Sequence, residues 1–203
     1  SLMSSTPTSL PSGPNTELAL SVERAYREVI VLDRLGAIWS VILAKCLLAQ
    51  WAINEFSIPI SGLRYIWLLT LSMAVVVTGL YLRAHQSKIN FLPNQLRVGT
   101  AVFTGMVVSL GFVLYAHFAL TLFSTITTAA LTCMLFGAWS LARAALRNAY
   151  PPLVGALIWW ILAGYALVSK DNYALLWIGL GMFFAQALPS FALARRTEKS
   201  LRV

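Results

Sequence analysis

PLVGALIWWILAGYALVS (152–169) and YALLWIGLGMFFAQALPSFALA (173–194) contain no charged residue and are parted only by Lys170, Asp171 and Asn172. Each is close to the ~20 apolar residues that an α-helix needs to cross the hydrocarbon core of a bilayer. Two such runs joined by so short a tip form antiparallel neighbours. The rest of the chain has the same character: of 203 residues, 59% are hydrophobic and 11% charged, with a mean hydropathy of +0.75. A globular domain carries roughly 25% charged residues. This chain has too little charge to cover a surface facing water, and a soluble fold is excluded.

Four more apolar runs lie upstream, at 35–54, 65–84, 98–117 and 120–141, making six spans in all. Six crossings put both termini on one side. Basic residues near the span ends identify that side, because cytoplasmic loops accumulate Lys and Arg. Arg24, Arg27, Arg34, Arg83, Lys88, Arg97, Arg143, Arg147, Arg195, Arg196, Lys199 and Arg202 flank the face holding the termini, against Arg64 and Lys170 on the other. Twelve against two predicts N-in, C-in. The formal charge of +8 is accordingly read as orientation and contact with anionic headgroups, not as nucleic-acid binding. The spans pair into three hairpins with outward tips near 55–64, 118–120 and 169–173. Each second span runs into arginine through TGLYLRAHQ (78–86), GAWSLARAAL (137–146) or PSFALARRTE (189–198). That likeness predicts a three-fold hairpin repeat, with the positive-inside preference alone as the simpler source of the shared ends.

Ahead of the spans, residues 1–15 (SLMSSTPTSLPSGPN) are rich in Ser, Thr and Pro and lack the basic and apolar regions of a signal peptide. They are expected to form a disordered tail. From Thr16, a candidate N-cap, Leu18, Val22, Tyr26, Val29 and Ile30 recur at helical spacing. Glu23 with Arg27 and Arg24 with Glu28 form opposite-charge i,i+4 pairs. The organisation expected is therefore a tail (1–15), an amphipathic cytoplasmic helix (16–34), a six-helix transmembrane domain (35–194) and a basic cytoplasmic tail (195–203). The fold class is all-α, a polytopic membrane protein of three antiparallel hairpins.

Three hairpins with short outward tips, and spans such as ALTLFSTITTAALTCMLFGAWSLARAALRN (119–148) and ALLWIGLGMFFAQALPSFALARR (174–196), resemble the HdeD-type family of bacterial inner-membrane proteins. The resemblance covers roughly residues 30–197; of the prolines that such proteins often carry at their hairpin tips, only Pro59 is matched, a departure from the family pattern. It implies a bacterial inner (plasma) membrane protein linked with acid and stress tolerance. The family has no established catalytic residues to carry over.

Membrane enzymes and pumps need titratable groups at depth. All seven acids, Glu17, Glu23, Glu28, Asp33, Glu55, Asp171 and Glu198, fall outside the six spans. His85 and His117 sit at opposite membrane faces and cannot share a metal, and Cys46 and Cys133 read as small core fillers. Ser124, Thr125, Thr127, Thr128 and Thr132 have no base in view to activate a nucleophile. No enzyme activity, metal or cofactor is expected.

Lys45 stands out, near the middle of the first span in WSVILAKCLLAQW. A lysine at that depth costs about 2.5–3.5 kcal/mol. It either faces inward as a cation for an anionic or carbonyl-bearing ligand, or relieves the cost by snorkelling or by bonding Gln50, Gln186 or carbonyls near Pro189. Lys45, Gln186 and Gln50 are thus the candidate ligand-binding residues. Ala101, Gly105 and Ser109 form a small-residue row along one span, and Gly181 with Ala185 does so in another, which predicts close helix packing. The leading expectation is a non-enzymatic membrane protein of structural or stress-related role. The alternatives are a small-molecule capture subunit of the vitamin-uptake type, or a sensor whose protein partner docks on the basic cytoplasmic face.

Overall fold

The computed structural model describes residues 14–59, 63–84 and 94–200. Every regular element among them is helical: α1 (Pro14–Glu55), α2 (Leu63–Ala84), α3 (Asn94–Phe118), α4 (Thr125–Arg147), α5 (Tyr150–Val168), a short 3₁₀ turn (Asp171–Tyr173), α6 (Ala174–Leu180), a π-helical segment (Gly181–Ala187) and α7 (Leu188–Ser200). The last three run on as one continuous rod. Among the described residues, four stretches are long and apolar enough to cross a membrane: Val98–Phe118, Thr125–Arg147, Tyr150–Val168 and Ala174–Ser200. By this measure the six runs read from the sequence become four. The run 35–54 lies within α1, and the run 65–84 lies in α2, whose apolar centre Trp67–Tyr81 is shorter.

The element boundaries differ from expectation for local reasons. α1 is already helical at Pro14, so Thr16 lies inside the helix and does not cap it. The expected tail is thereby cut at 14, and its residues 1–13 lie outside the described residues, as do His85 and Lys88. No break separates 34 from 35: α1 is a 42-residue helix, about 63 Å long. Its buried stripe, Ile30, Asp33, Ala37, Ser40 and Ala44, steps by three and four straight through the expected boundary. Val22 and Tyr26 of the predicted amphipathic face stay about half exposed (47% and 48%). The Glu23–Arg27 pair forms at 2.7 Å.

The tip after α3 is longer than expected, because the helix restarts only at Thr125, where the Ser124 hydroxyl accepts from the Thr127 N–H at 3.2 Å. Asn148 ends α4 in the left-handed conformation (φ 44°), and Pro151 and Pro152 start α5. The expected basic tail from 195 is helical as far as Ser200.

α1, α4, α5 and the last rod surround the core. Trp159 is fully buried, its ring stacked on Phe136 at 5.0 Å, among Ala44, Cys133, Ala163, Met182 and Ala185. α4 and α5 make the most extensive pair, although the sequence assigns them to different hairpins. α1 packs mainly on the last rod, whereas α2 leans lightly on α1, held by Trp39 Nε1 donating to Thr78 Oγ1 at 2.7 Å. α3 lies along α4, where Phe103 meets Trp139 at 5.2 Å. The three expected hairpins are thus unequal units. Leu68, Leu69, Val76 and Phe112 are 60% or more exposed, which suits helices whose outer surroundings are lipid.

Candidate functional site

The buried stripe of α1 carries one carboxylate, Asp33, into the interface with α4. Arg143 and Arg147, one helical turn apart on α4, each donate to it: Arg143 to Oδ1 and Arg147 to Oδ2, both at 3.1 Å. The side chains are 9%, 12% and 21% exposed in the order Asp33, Arg143, Arg147. Both carboxylate oxygens are occupied by guanidinium donors, which gives short-range compensation to a charge that burial penalises. Burial pushes the Asp33 carboxyl above its usual range, while the two guanidiniums pull it back.

α7 completes the cluster with hydroxyls. Arg143 donates to Ser190 Oγ at 3.0 Å, and Arg147 reaches Thr197 Oγ1 at 3.4 Å. The Arg143 guanidinium also lies 5.9 Å from the Trp139 ring. Beside it, Arg34 pairs with Glu198 at 2.8 Å and ties α1 directly to α7. Deeper along the same interface Ser140 donates to Gln186 Oε1 at 3.3 Å, joining α4 to the π segment. The result is a polar seam that clamps three helices at the arginine-rich end of the bundle. Arginine keeps its proton under all ordinary conditions, so the seam holds charge in place and does not relay protons through its cations.

The π segment shapes the wall of this seam. Its wider turn leads into Pro189, which has no N–H to donate back along the helix. The Ala185 carbonyl lies directly against Gly155 of α5, where a Cβ would collide with it, and Gly181 lies against the Trp159 ring in the same manner. The predicted packing pair Gly181 and Ala185 is therefore buried at a helix crossing. The other predicted row, Ala101, Gly105 and Ser109, lies on the exposed side of α3, and Gly105 has nothing within 4 Å of its would-be Cβ. The sequence shows that both rows are small without showing which way either helix is turned.

The three candidate ligand residues are not brought together. Lys45 is exposed on α1, next to buried Ala44. Gln50 accepts from Trp67 Nε1 at 3.1 Å and donates to Asn54 at 2.9 Å, a link between α1 and α2. Gln186 is buried with Ser140. His117 takes part in a hydrogen bond with the Phe123 carbonyl at 2.8 Å. Among the described residues no three of His, Cys, Asp and Glu cluster as metal ligands would.

Reading the sequence span by span missed the Asp33 cluster, because Asp33 was assigned to a surface helix and the arginines to loop ends. The signal was present in the spacing: Asp33 occupies the same stripe as Ala37, Ser40 and Ala44. Compared with protein-family models, curated proteins and solved structures, the chain finds no match. Among the described residues, fold and site together define a helical protein with four membrane-length apolar helices, clamped at one end by a buried ion-pair cluster.

Proposed function

We propose that the chain is a non-enzymatic integral protein of the bacterial inner membrane, with a structural or stress-related role of the HdeD type. Its six apolar runs cross the membrane with both termini in the cytoplasm, α1 and α2 supplying the first two crossings. The observation that carries this reading is the filled interior. The space between α1, α4, α5 and the last rod, where a captured molecule would sit, is taken by Trp159, Phe136 and Met182. The clustered charge is committed to holding helices together, which supports a scaffold more than a transport path. Deleting the gene in its host and challenging the cells with acid tests the role. Reduced survival, restored by the intact chain, is expected; unchanged survival together with a small molecule retained on purification would favour the capture subunit instead.

A sensor reading is favoured by one feature. The first part of α1 is an arm with Leu20, Val22 and Tyr26 exposed, and it runs on in the same helix to Asp33, which pairs with α4. A cytoplasmic protein recovered by cross-linking to that arm, and lost when residues 14–28 are removed, would support it.

A further inference from the structure

The arginine-rich end carries a feature that the clamp does not use. An open groove of about 1080 Å³ lies between the start of α5 and the outer face of α7. Along α7 its lining changes from apolar to cationic: Leu188 and Phe191 come first, both partly exposed, then Arg195, Arg196 and Lys199. The Arg196 guanidinium is held 5.4 Å from the ring of Tyr150, which anchors one cation at the mouth. Glu198 also lines the groove, but it accepts from Arg34 at 2.8 Å and its charge is engaged by α1. The lining therefore presents three cations against one carboxylate already bound to a fourth.

We infer that this groove is a site for one anionic phospholipid, with the phosphodiester held by Arg195, Arg196 and Lys199 and the acyl chains laid on Leu188 and Phe191. The order of the lining carries the argument. A cationic rim alone would suit free phosphate, and an apolar wall alone would suit any lipid. Their succession along one membrane-length helix matches a molecule with an anionic head and apolar tails, as basic pockets at helix ends do. The inference rests on the proposed reading only in taking α7 to be embedded in a membrane; it does not depend on which side the termini occupy.

Native mass spectrometry of the purified full chain, titrated with phosphatidylglycerol, phosphatidylcholine or inorganic phosphate, tests it. One phosphatidylglycerol should be retained in preference to phosphatidylcholine, and millimolar inorganic phosphate should not displace it. Arg195→Gln/Arg196→Gln/Lys199→Gln should weaken that binding roughly a hundredfold, about fivefold for each cation. Arg27→Gln/Arg83→Gln/Lys170→Gln removes the same charge elsewhere and should leave it unchanged, and Arg195→Lys/Arg196→Lys should retain most of it. Equal retention of both lipids, displacement by phosphate, or equal loss in both triple variants would overturn the site. A C-terminus found outside the cell would refute the proposed orientation while leaving this result standing.

Discussion

Asp33 has a guanidinium on each carboxylate oxygen, so the effect of losing one can be worked out with its sign. Arg143→Met removes the less exposed of the two cations and leaves a buried carboxylate half compensated, which should destabilise the fold by about 3 kcal/mol at neutral pH. Burial already pushes the Asp33 carboxyl above its ordinary range in the fold, and losing Arg143 takes away part of what holds it down. A folded pKa above the unfolded value means that the group's contribution is fully present below the unfolded pKa and is lost as pH rises through the folded one. The deficit of Arg143→Met should therefore shrink on acidification, and adding Asp33→Asn in that background should restore stability at neutral pH. Denaturant titrations of detergent-purified protein at several pH values measure this; a deficit independent of pH would contradict it. Trp159 offers a second test, since its indole N–H is buried without a partner among the described residues. Trp159→Phe removes that donor along with some ring volume, and the two effects should offset to within about 1 kcal/mol. Trp159→Ala should cost about 3–5 kcal/mol. Lys45, exposed on α1, should behave as a snorkelling residue: Lys45→Met is expected to leave the melting temperature unchanged or raised.

Helices meet in this molecule through glycine, and the neighbours decide what each can tolerate. At Gly155 an added methyl meets the backbone carbonyl of Ala185, whereas at Gly137 it meets the ring of Trp160, a side chain that is 42% exposed. Gly155→Ala should cost about 1–3 kcal/mol through forced separation of α5 from the π segment. Gly137→Ala should be close to neutral, since the better helix propensity of alanine offsets the ring's displacement. Matched unfolding curves for the two variants separate these outcomes, and equal losses would count against the close crossing. Hydropathy made the helices legible, because runs such as 152–169 have no other stable form in lipid. What it left hidden was facing. Gly181 and Gly105 are equivalent as letters, yet one lies under Trp159 and the other on an open surface. The continuity of α1 was readable only by following small residues through Asp33, where a charge interrupts an otherwise apolar count.

The whole bundle has a dense centre, with α3 laid along α4 on one flank and α2 leaning lightly on α1 on the other. Positive-inside asymmetry is the most direct route to its orientation, and labelling tests it. In a background lacking Cys46 and Cys133, Lys88→Cys and Lys199→Cys should react with a membrane-impermeant maleimide only after the cells are opened. Asn172→Cys should react in intact cells. Reversal of that pattern would refute the orientation. The candidate site was less legible than the fold for a reason of range: Asp33 lies 110 and 114 residues from its arginines, and no local pattern announces a pairing over that distance.

That distance also sets a timetable for synthesis. Asp33 leaves the ribosome long before either arginine has been translated, so the nascent α1 reaches the membrane with its acid unmatched. Only when the end of α4 emerges does the carboxylate gain its counterions, and only with α7 do Ser190 and Thr197 join them. The cluster is thus assembled in the order of the chain and is complete only once α7 has been made. A product truncated before α4 has neither of the guanidiniums that meet Asp33 in the folded chain.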